Sequence, residues 1–218
     1  MRTECYCLNC MKSIRDEGCM GEMLLVDDVL CAKCRYELKY YPHKIKIGKM
    51  KVFGMYRYCD LCRELLIQYK EYKDEALGVV FLYPHIDMLR RRYKDYYLVA
   101  IPSNFKSFLE RGFRHVETLF SPLGLPFLDI LQNSSDRQQK NLPLAERKNI
   151  FQYLHLQNNV DLTDKKLLLV DDILTTGSTL NAAYSLLENK CKKVECLVVA
   201  YNERYLSDFQ KKLYGLTH

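Results

Sequence analysis

The sequence predicts an α/β fold, a mostly parallel sheet flanked by helices, with a small N-terminal metal-binding module in front of it. Three observations predict this. Paired cysteines crowd the front of the chain; from about residue 51 short aliphatic runs alternate with helical segments; and one such run ends in two adjacent carboxylates and a hydroxyl-rich turn. The 218 residues are 48% hydrophobic, which suffices for one ordinary domain with its own core and a small appendage.

The cysteines come first in the chain, and eight of the ten fall in the first 62 residues. The opening MRTECYCLNC has no apolar h-region, so a secreted disulfide scaffold is the poorer reading. The chain reads as cytoplasmic, its thiols reduced unless a metal holds them. Cys7 and Cys10 form one CxxC, and Cys31 and Cys34 form a second after 20 intervening residues. Two such knuckles supply the four soft ligands that tetrahedral zinc needs. Four thiolates leave no open position for water, so this zinc would be structural. Cys5 and Cys19 are the nearest competing ligands.

The module occupies residues 1–50 and the α/β domain residues 51–218. The exit from the module, KYYPHKIKIGKMK, reads as a linker or an edge strand. Strands are expected at Val52 to Tyr58, Tyr97 to Ile101, Pro126 to Ile130, Lys166 to Val170 and Val194 to Tyr201. Helices are expected at Cys62 to Tyr72, Ile86 to Arg92, Glu110 to Phe120 and Ser178 to Asn189. The polar stretch Asn133 to Asn149 reads as a mobile loop. LGVVFLYP, Leu77 to Pro84, is far shorter than the roughly 20 apolar residues that cross a bilayer. The third cysteine pair, Cys59 and Cys62, reads as one packed and one partly exposed thiol, with a redox pair or a second metal site as the alternatives. Cys191 and Cys196 read as core or surface thiols.

Leu167 to Thr179, LLLVDDILTTGST, carries the most chemistry. LLLV is a buried strand, after which the chain is expected to turn at Asp171 and Asp172 into a helix that Ser178 and Thr179 open. In an open α/β sheet ligands sit at this carboxyl end of a strand. Thr175, Thr176, Gly177, Ser178 and Thr179 offer backbone N–H groups, hydroxyls and a glycine at a helix N-terminus, a combination that binds phosphate. Two carboxylates beside that cradle would repel an anion unless a sugar or a divalent cation stands between them. A ribose 5-phosphate meets both demands, its hydroxyls bonded to Asp171 and Asp172. A solvated Asp-Asp turn followed by an ordinary helix cap is the plain alternative. No lysine follows the glycine, so this is not a Walker A loop, nor is it GxGxxG.

The whole string resembles the 5-phosphoribosyl-1-pyrophosphate signature of type I phosphoribosyltransferases. That likeness implies a pyrophosphate site after an earlier strand. YLVAIPSNFKSFLERGFR offers one: Tyr97 to Ile101 as strand, Pro102, Ser103 and Asn104 as turn, and Lys106, Arg111 and Arg114 as positive charge. A surface helix with solvated basic residues is the alternative. The N-terminal CxxC pairs, ERGF at Glu110 to Phe113, the phosphoribosyl string, and Gln139, Lys140, Leu144, Arg147, Asn149 and Phe151 together resemble the ComF family of competence proteins. Arg114 departs from that family's pattern, which has Asn after Arg-Gly-Phe.

The resemblance implies a type I phosphoribosyltransferase-like fold joined to a zinc ribbon or knuckle, with Mg²⁺ accompanying phosphoribosyl pyrophosphate. It also implies a role in DNA uptake during natural transformation, beside the competence helicase of the ComF operon type and other DNA-uptake proteins, at the inner face of the membrane through a partner. Transfer of the phosphoribosyl group to a nucleobase in nucleotide salvage is the alternative, and no residue is singled out as catalytic. The net charge of +6 lies in the first 115 residues. There Arg35 to Lys46, Met55 to Tyr58 and Arg90 to Tyr97 interleave tyrosine with basic residues, as a track for single-stranded DNA would require. Half-buried strand or helix positions account for the same pattern.

Overall fold

The computed structural model describes residues 5–14, 28–103, 105–134, 153–157 and 160–206. Cys19, Asn104 and most of the polar stretch between Asn133 and Asn149, with Phe151, lie outside the described residues. In chain order the elements are α1 (Ala32–Glu37), β1 (Tyr40–Ile47), β2 (Met50–Arg57), α2 (Asp60–Glu71), α3 (Gly78–Leu82), α4 (Ile86–Tyr93), β3 (Tyr96–Ala100), α5 (Phe105–Arg111) and α6 (His115–Phe120). They are followed by β4 (Leu131–Asn133), β5 (Leu154–Leu156), β6 (Lys166–Leu174), α7 (Ser178–Leu187) and β7 (Lys193–Tyr201). No helix among the described residues is long and apolar enough to cross a membrane.

Five strands form one sheet in the order β1-β2-β7-β6-β3, parallel throughout except for β1, which pairs antiparallel to β2. This is the mostly parallel sheet flanked by helices that the aliphatic runs predict. Side chains alternate across it as a period of two requires. Phe53, Met55, Leu98, Leu168, Val170, Leu197 and Val199 face a core shared with α2, α3, α4, α6 and the cysteine segment. Val52, Val99, Leu167, Leu169, Cys196 and Val198 face a second core that takes in α7 and the β4-β5 pair. Both faces are covered, which is why β6 and β7 read as nearly continuous apolar runs.

The basic exit from the cysteine module forms β1, an edge strand bearing the partly or fully exposed Lys44 and Lys46. A turn at Gly48, φ +57°, joins it to β2, so the division at residue 50 falls inside a paired hairpin. Arg35 binds the module to the sheet layer. It grips the Asp28 carboxylate with Nε at 2.6 Å and Nη2 at 2.5 Å, and its Nη1 donates to the carbonyl of Val80 at 3.0 Å.

Three expectations are corrected. Pro126 to Ile130 forms no strand beyond a single bridge of Phe127 to Leu98, with Leu98 N–H donating to Pro126 and Leu128 N–H to Leu98. Pro126 lacks an N–H, and the pairing passes instead to Leu131–Asn133 against Leu154–Leu156. Glu110 to Phe120 is not one helix: Gly112, at φ +89°, ends α5 with its N–H on the Phe108 carbonyl, and α6 starts afresh at His115. The third concerns the two carboxylates. β6 does not turn at Asp171 and Asp172 but stays paired with β7 as far as Leu174, opposite Tyr201.

Candidate functional site

Asp171 and Asp172 are strand residues rather than turn residues, and their carboxylates remain close enough to interact, the Asp172 N–H also donating to Asp171 Oδ1 at 2.9 Å. Asp172 is turned inward and 5% exposed. Its Oδ1 accepts the Ile173 N–H at 2.6 Å, while Lys70 Nζ lies 2.6 Å and His115 Nε2 3.3 Å from its Oδ2. Burial opposes its ionisation, but the hydrogen bond from His115 and the Lys70 charge overcome this and hold the carboxyl well below the usual carboxylate range. Asp171, half-buried, is pushed the other way by burial and by the Asp172 charge beside it.

The turn follows at Thr175, Thr176 and Gly177. Gly177 has φ +76°, and a Cβ there would lie 2.9 Å from Ile47 Cδ1 and 3.3 Å from Tyr205 Oη, so glycine is required by both backbone and space. Ser178 opens α7, with its N–H on Thr176 Oγ1 at 3.3 Å and its hydroxyl 2.9 Å from the same oxygen. Thr175, Thr176 and Ser178 are exposed and Thr179 half-buried. The N-cap residue Gly177 makes no side-chain cap, and Thr176 Oγ1 takes the Ser178 N–H in its place; a helix N-terminus of this kind favours an anion.

Sequence reasoning missed two neighbours of this loop. Arg204 Nη2 donates to the Thr175 carbonyl, and its guanidinium sits 5.2 Å over the Tyr205 ring. Asn202 sets that segment by accepting the Arg204 N–H at 3.0 Å, and its own N–H donates to Leu174 at 3.1 Å. The signal available in the sequence was an Asn cap directly after a strand that pairs with the loop's own strand.

The loop after β3 begins where Ile101 N–H donates to the Val170 carbonyl at 3.0 Å. That bond places Pro102 and Ser103 beside the end of β6. Ser103 Oγ is 3.2 Å from His115 Nδ1, and Arg111 Nη1 donates to the same nitrogen at 2.7 Å. Arg111 Nε also donates to the Lys70 carbonyl at 3.3 Å. Lys106 lies on the surface and pairs with Glu110 at 3.7 Å. Arg114 lines the cavity beside the loop with its cation already engaged, Nη1 being held by Glu117 at 2.8 Å and Asp129 at 3.0 Å.

Beside Pro102 and Ser103 opens a cavity of about 660 Å³, whose lining includes Phe108, Gln132, Asn133, His155 and Gln157. An aromatic face together with amides and an imidazole suits a heterocycle that both donates and accepts hydrogen bonds.

At the other end of the chain, Cys7, Cys10, Cys31 and Cys34 bring their sulfurs within 4.8 Å of one another, and the four could hold a metal ion. Tetrahedral zinc with bonds near 2.3 Å sets its sulfurs about 3.8 Å apart. Cys10 and Cys31 already stand 3.7 Å apart. Burial opposes ionisation of Cys7, but backbone N–H groups at Cys10, Cys31 and Asn9 bring it down to about 7. Burial then pushes Cys31 and Cys34 up, and the Cys7 charge adds to this at Cys34. A bound cation would let Cys31 and Cys34 shed their protons. Cys59 and Cys62 stand outside this group: Cys62 is buried, and Cys59, half-buried, accepts from Arg57 Nη2 at 3.1 Å.

The phosphoribosyl transferase domain family matches residues 107–217. The chain is 29% identical over 187 residues to the Competence protein ComFC of Streptococcus pneumoniae (strain ATCC BAA-255 / R6), covering 84% of this chain and 81% of that protein. Among solved structures, an adenine phosphoribosyltransferase aligns with 85% of this chain and 96% of its own at 19% identity and a TM-score of 0.41. A hypoxanthine phosphoribosyltransferase from Staphylococcus aureus aligns with 62% of this chain and 69% of its own at 17% identity and a TM-score of 0.39. With a parallel sheet whose β6 runs into a glycine-turned hydroxyl loop at the head of α7, and with half its length matched, this chain belongs to the phosphoribosyl transferase domain family.

Proposed function

We propose that the protein binds phosphoribosyl pyrophosphate, accompanied by Mg²⁺, and serves DNA uptake in natural transformation together with the uptake helicase and its associated proteins at the inner face of the membrane. The observation that carries the binding reading is the junction of β6 and α7. There Gly177 brings the backbone close, Thr175, Thr176, Ser178 and Thr179 offer donors for the 5-phosphate, and Asp171 stands ready for a ribose hydroxyl. Pro102, Ser103 and Arg111 supply the neighbouring loop for the pyrophosphate. Mg²⁺ would neutralise the pyrophosphate charge that these groups leave unmatched. The likeness to a competence protein supports the biological role.

The ion proposed for Cys7, Cys10, Cys31 and Cys34 is zinc, in a structural role, since four soft ligands at tetrahedral spacing fill its coordination.

A second reading, phosphoribosyl transfer to a nucleobase, is favoured by the cavity lined by Phe108, Gln132, Asn133 and His155 beside the same loops. Isothermal titration with phosphoribosyl pyrophosphate and Mg²⁺, followed by pyrophosphate release over a panel of bases, separates the two. Binding abolished by Asp171→Ala without turnover on any base supports a binding protein; turnover on one base supports the transferase. A deletion strain that transforms normally would sink the DNA-uptake role.

A further inference from the structure

Four residues, Lys70, Arg111, His115 and Asp172, close a ring of side-chain contacts and one main-chain carbonyl at the foot of the two loops. Arg111 Nε donates to the Lys70 carbonyl at 3.3 Å; Lys70 Nζ reaches Asp172 Oδ2 at 2.6 Å; His115 Nε2 faces that same oxygen at 3.3 Å; and Arg111 Nη1 returns to His115 Nδ1 at 2.7 Å. A guanidinium can only donate, so His115 Nδ1 must carry the lone pair. The imidazole proton is therefore on Nε2, the nitrogen 3.3 Å from Asp172 Oδ2. This one tautomer, in a neutral imidazole, suits every donor and acceptor of the ring, Asp172 Oδ2 being approached by the Lys70 charge and by Nε2 without an aligned hydrogen bond.

The ring is largely shielded from water, the side chains of Lys70, Asp172 and His115 being 22%, 7% and 8% exposed. The charged groups facing His115 are Asp172, Arg111 and Lys70. Burial and the two cations favour neutral imidazole and Asp172 favours the charged form; burial and the cations prevail, so its pKa falls below the ordinary value. The Lys70 charge, with the His115 contact, keeps Asp172 ionised, and the same charge disfavours a second proton on His115. It sits on α2, well before residues 107–217 that match the family.

We propose that Lys70 is a positioning residue of the phosphoribosyl site: through Asp172 and the Nε2–H tautomer of His115 it fixes Arg111 and Ser103, tying the loop after β3 to the end of β6. The proposal rests on the binding reading above. It assigns the two acids of the Asp-Asp pair to different tasks, Asp171 to the ligand and Asp172 to the ring. If Lys70 loses its charge, one of the influences that keep the imidazole neutral is gone; a share of His115 takes a second proton, Nδ1 in that share becomes a donor, and Arg111 is driven off it.

Two measurements on the full chain test this. The first needs no ligand: ¹⁵N spectra of the imidazoles at pH 7, with His115 assigned by His115→Gln. The wild type should show the neutral Nε2–H tautomer, and Lys70→Met should shift His115 toward the imidazolium pattern. A wild-type His115 protonated on Nδ1, or one unmoved by Lys70→Met, overturns the ring. The second is titration with Mg²⁺ and phosphoribosyl pyrophosphate. Lys70→Met should weaken binding at least tenfold and Lys70→Arg should restore most of it. Asp172→Asn serves as the second variant should Lys70→Met fail to fold, and should show the same loss. Unchanged affinity in the folded variants overturns the positioning role. A wild type that binds nothing overturns the ligand reading and with it the positioning role, while the imidazole spectra still decide the ring itself.

Discussion

The imidazole of His85 stacks on the ring of Tyr40, with centroids 3.8 Å apart and planes 24° from parallel. This contact joins β1 to the segment between α3 and α4. Burial, with Arg35 nearby, lowers the His85 pKa from 6.5 to about 4. The unfolded chain therefore takes up a proton near pH 6.5 that the folded chain refuses until about pH 4. The stability that depends on neutral His85 is fully present above pH 6.5 and is lost as the pH falls to about 4. Allowing for the solvent that reaches the ring, the loss is about 2 kcal/mol. Urea melts at pH 7.5 and 4.5 should show a smaller acid loss for His85→Phe than for wild type; equal losses would refute the assignment.

Gly54 makes a second stability prediction. A Cβ on this β2 residue would lie 2.5 Å from Cδ1 of Tyr201, whose fully buried ring crosses the strand and whose hydroxyl donates to the Tyr41 carbonyl at 2.9 Å. The ring is anchored and cannot simply step aside. Gly54→Ala should cost about 1–3 kcal/mol, as overpacking does in a dense core. Chemical denaturation measures it, and a neutral result would mean that the Tyr201 ring moves freely.

Removing the proposed zinc should be felt well beyond the cysteine cluster. Leu30, Leu38, Cys7, Cys31 and Cys34 belong to the same buried core as Leu65, Phe81 and Leu168. A chelator, or Cys31→Ser, should therefore lower the melting temperature of the whole chain and not only of its first residues. Metal content by mass spectrometry, one zinc per chain in wild type and none in the variant, provides the paired readout. Unchanged melting after complete metal loss would contradict it.

Arg114 should matter little to anions. Its cation is already engaged by Glu117 and Asp129, and it is more than half exposed. Arg114→Asn should leave the affinity for phosphoribosyl pyrophosphate within about twofold and cost at most about 1 kcal/mol of stability. A tenfold loss of affinity would show that Arg114 leaves its carboxylates for the ligand.

The parts of the fold with unambiguous periodicity were legible in the sequence. β7, α2 and α7 lie where aliphatic runs and helical spacing put them, β6 starts where expected but runs on to Leu174, and the CxxC spacing located the four converging thiols. What escaped depended on tertiary context. Nothing local to Pro126–Ile130 says that a proline and an edge position will reduce it to one bridge. Nothing local to VDDIL says that β7 will keep pairing past both acids, and that continuation decides which acid faces inward. Lys70 and His115 were invisible for a related reason: each is an ordinary residue on a helix until the fold sets both against Asp172.

The hairpin that straddles residue 50 bears on how the chain may be cut. β2 is buried along nearly its whole length and hydrogen-bonded on both sides, to β1 and to β7. A truncation that starts at residue 51 would strip away β1 with its Pro42, Lys44 and Lys46. The bare margin of VFGMY would then be a row of unpaired amides between apolar side chains, an open template for another copy of the same strand. Such a fragment should self-associate, whereas one that begins at Tyr40 retains its charged guard strand.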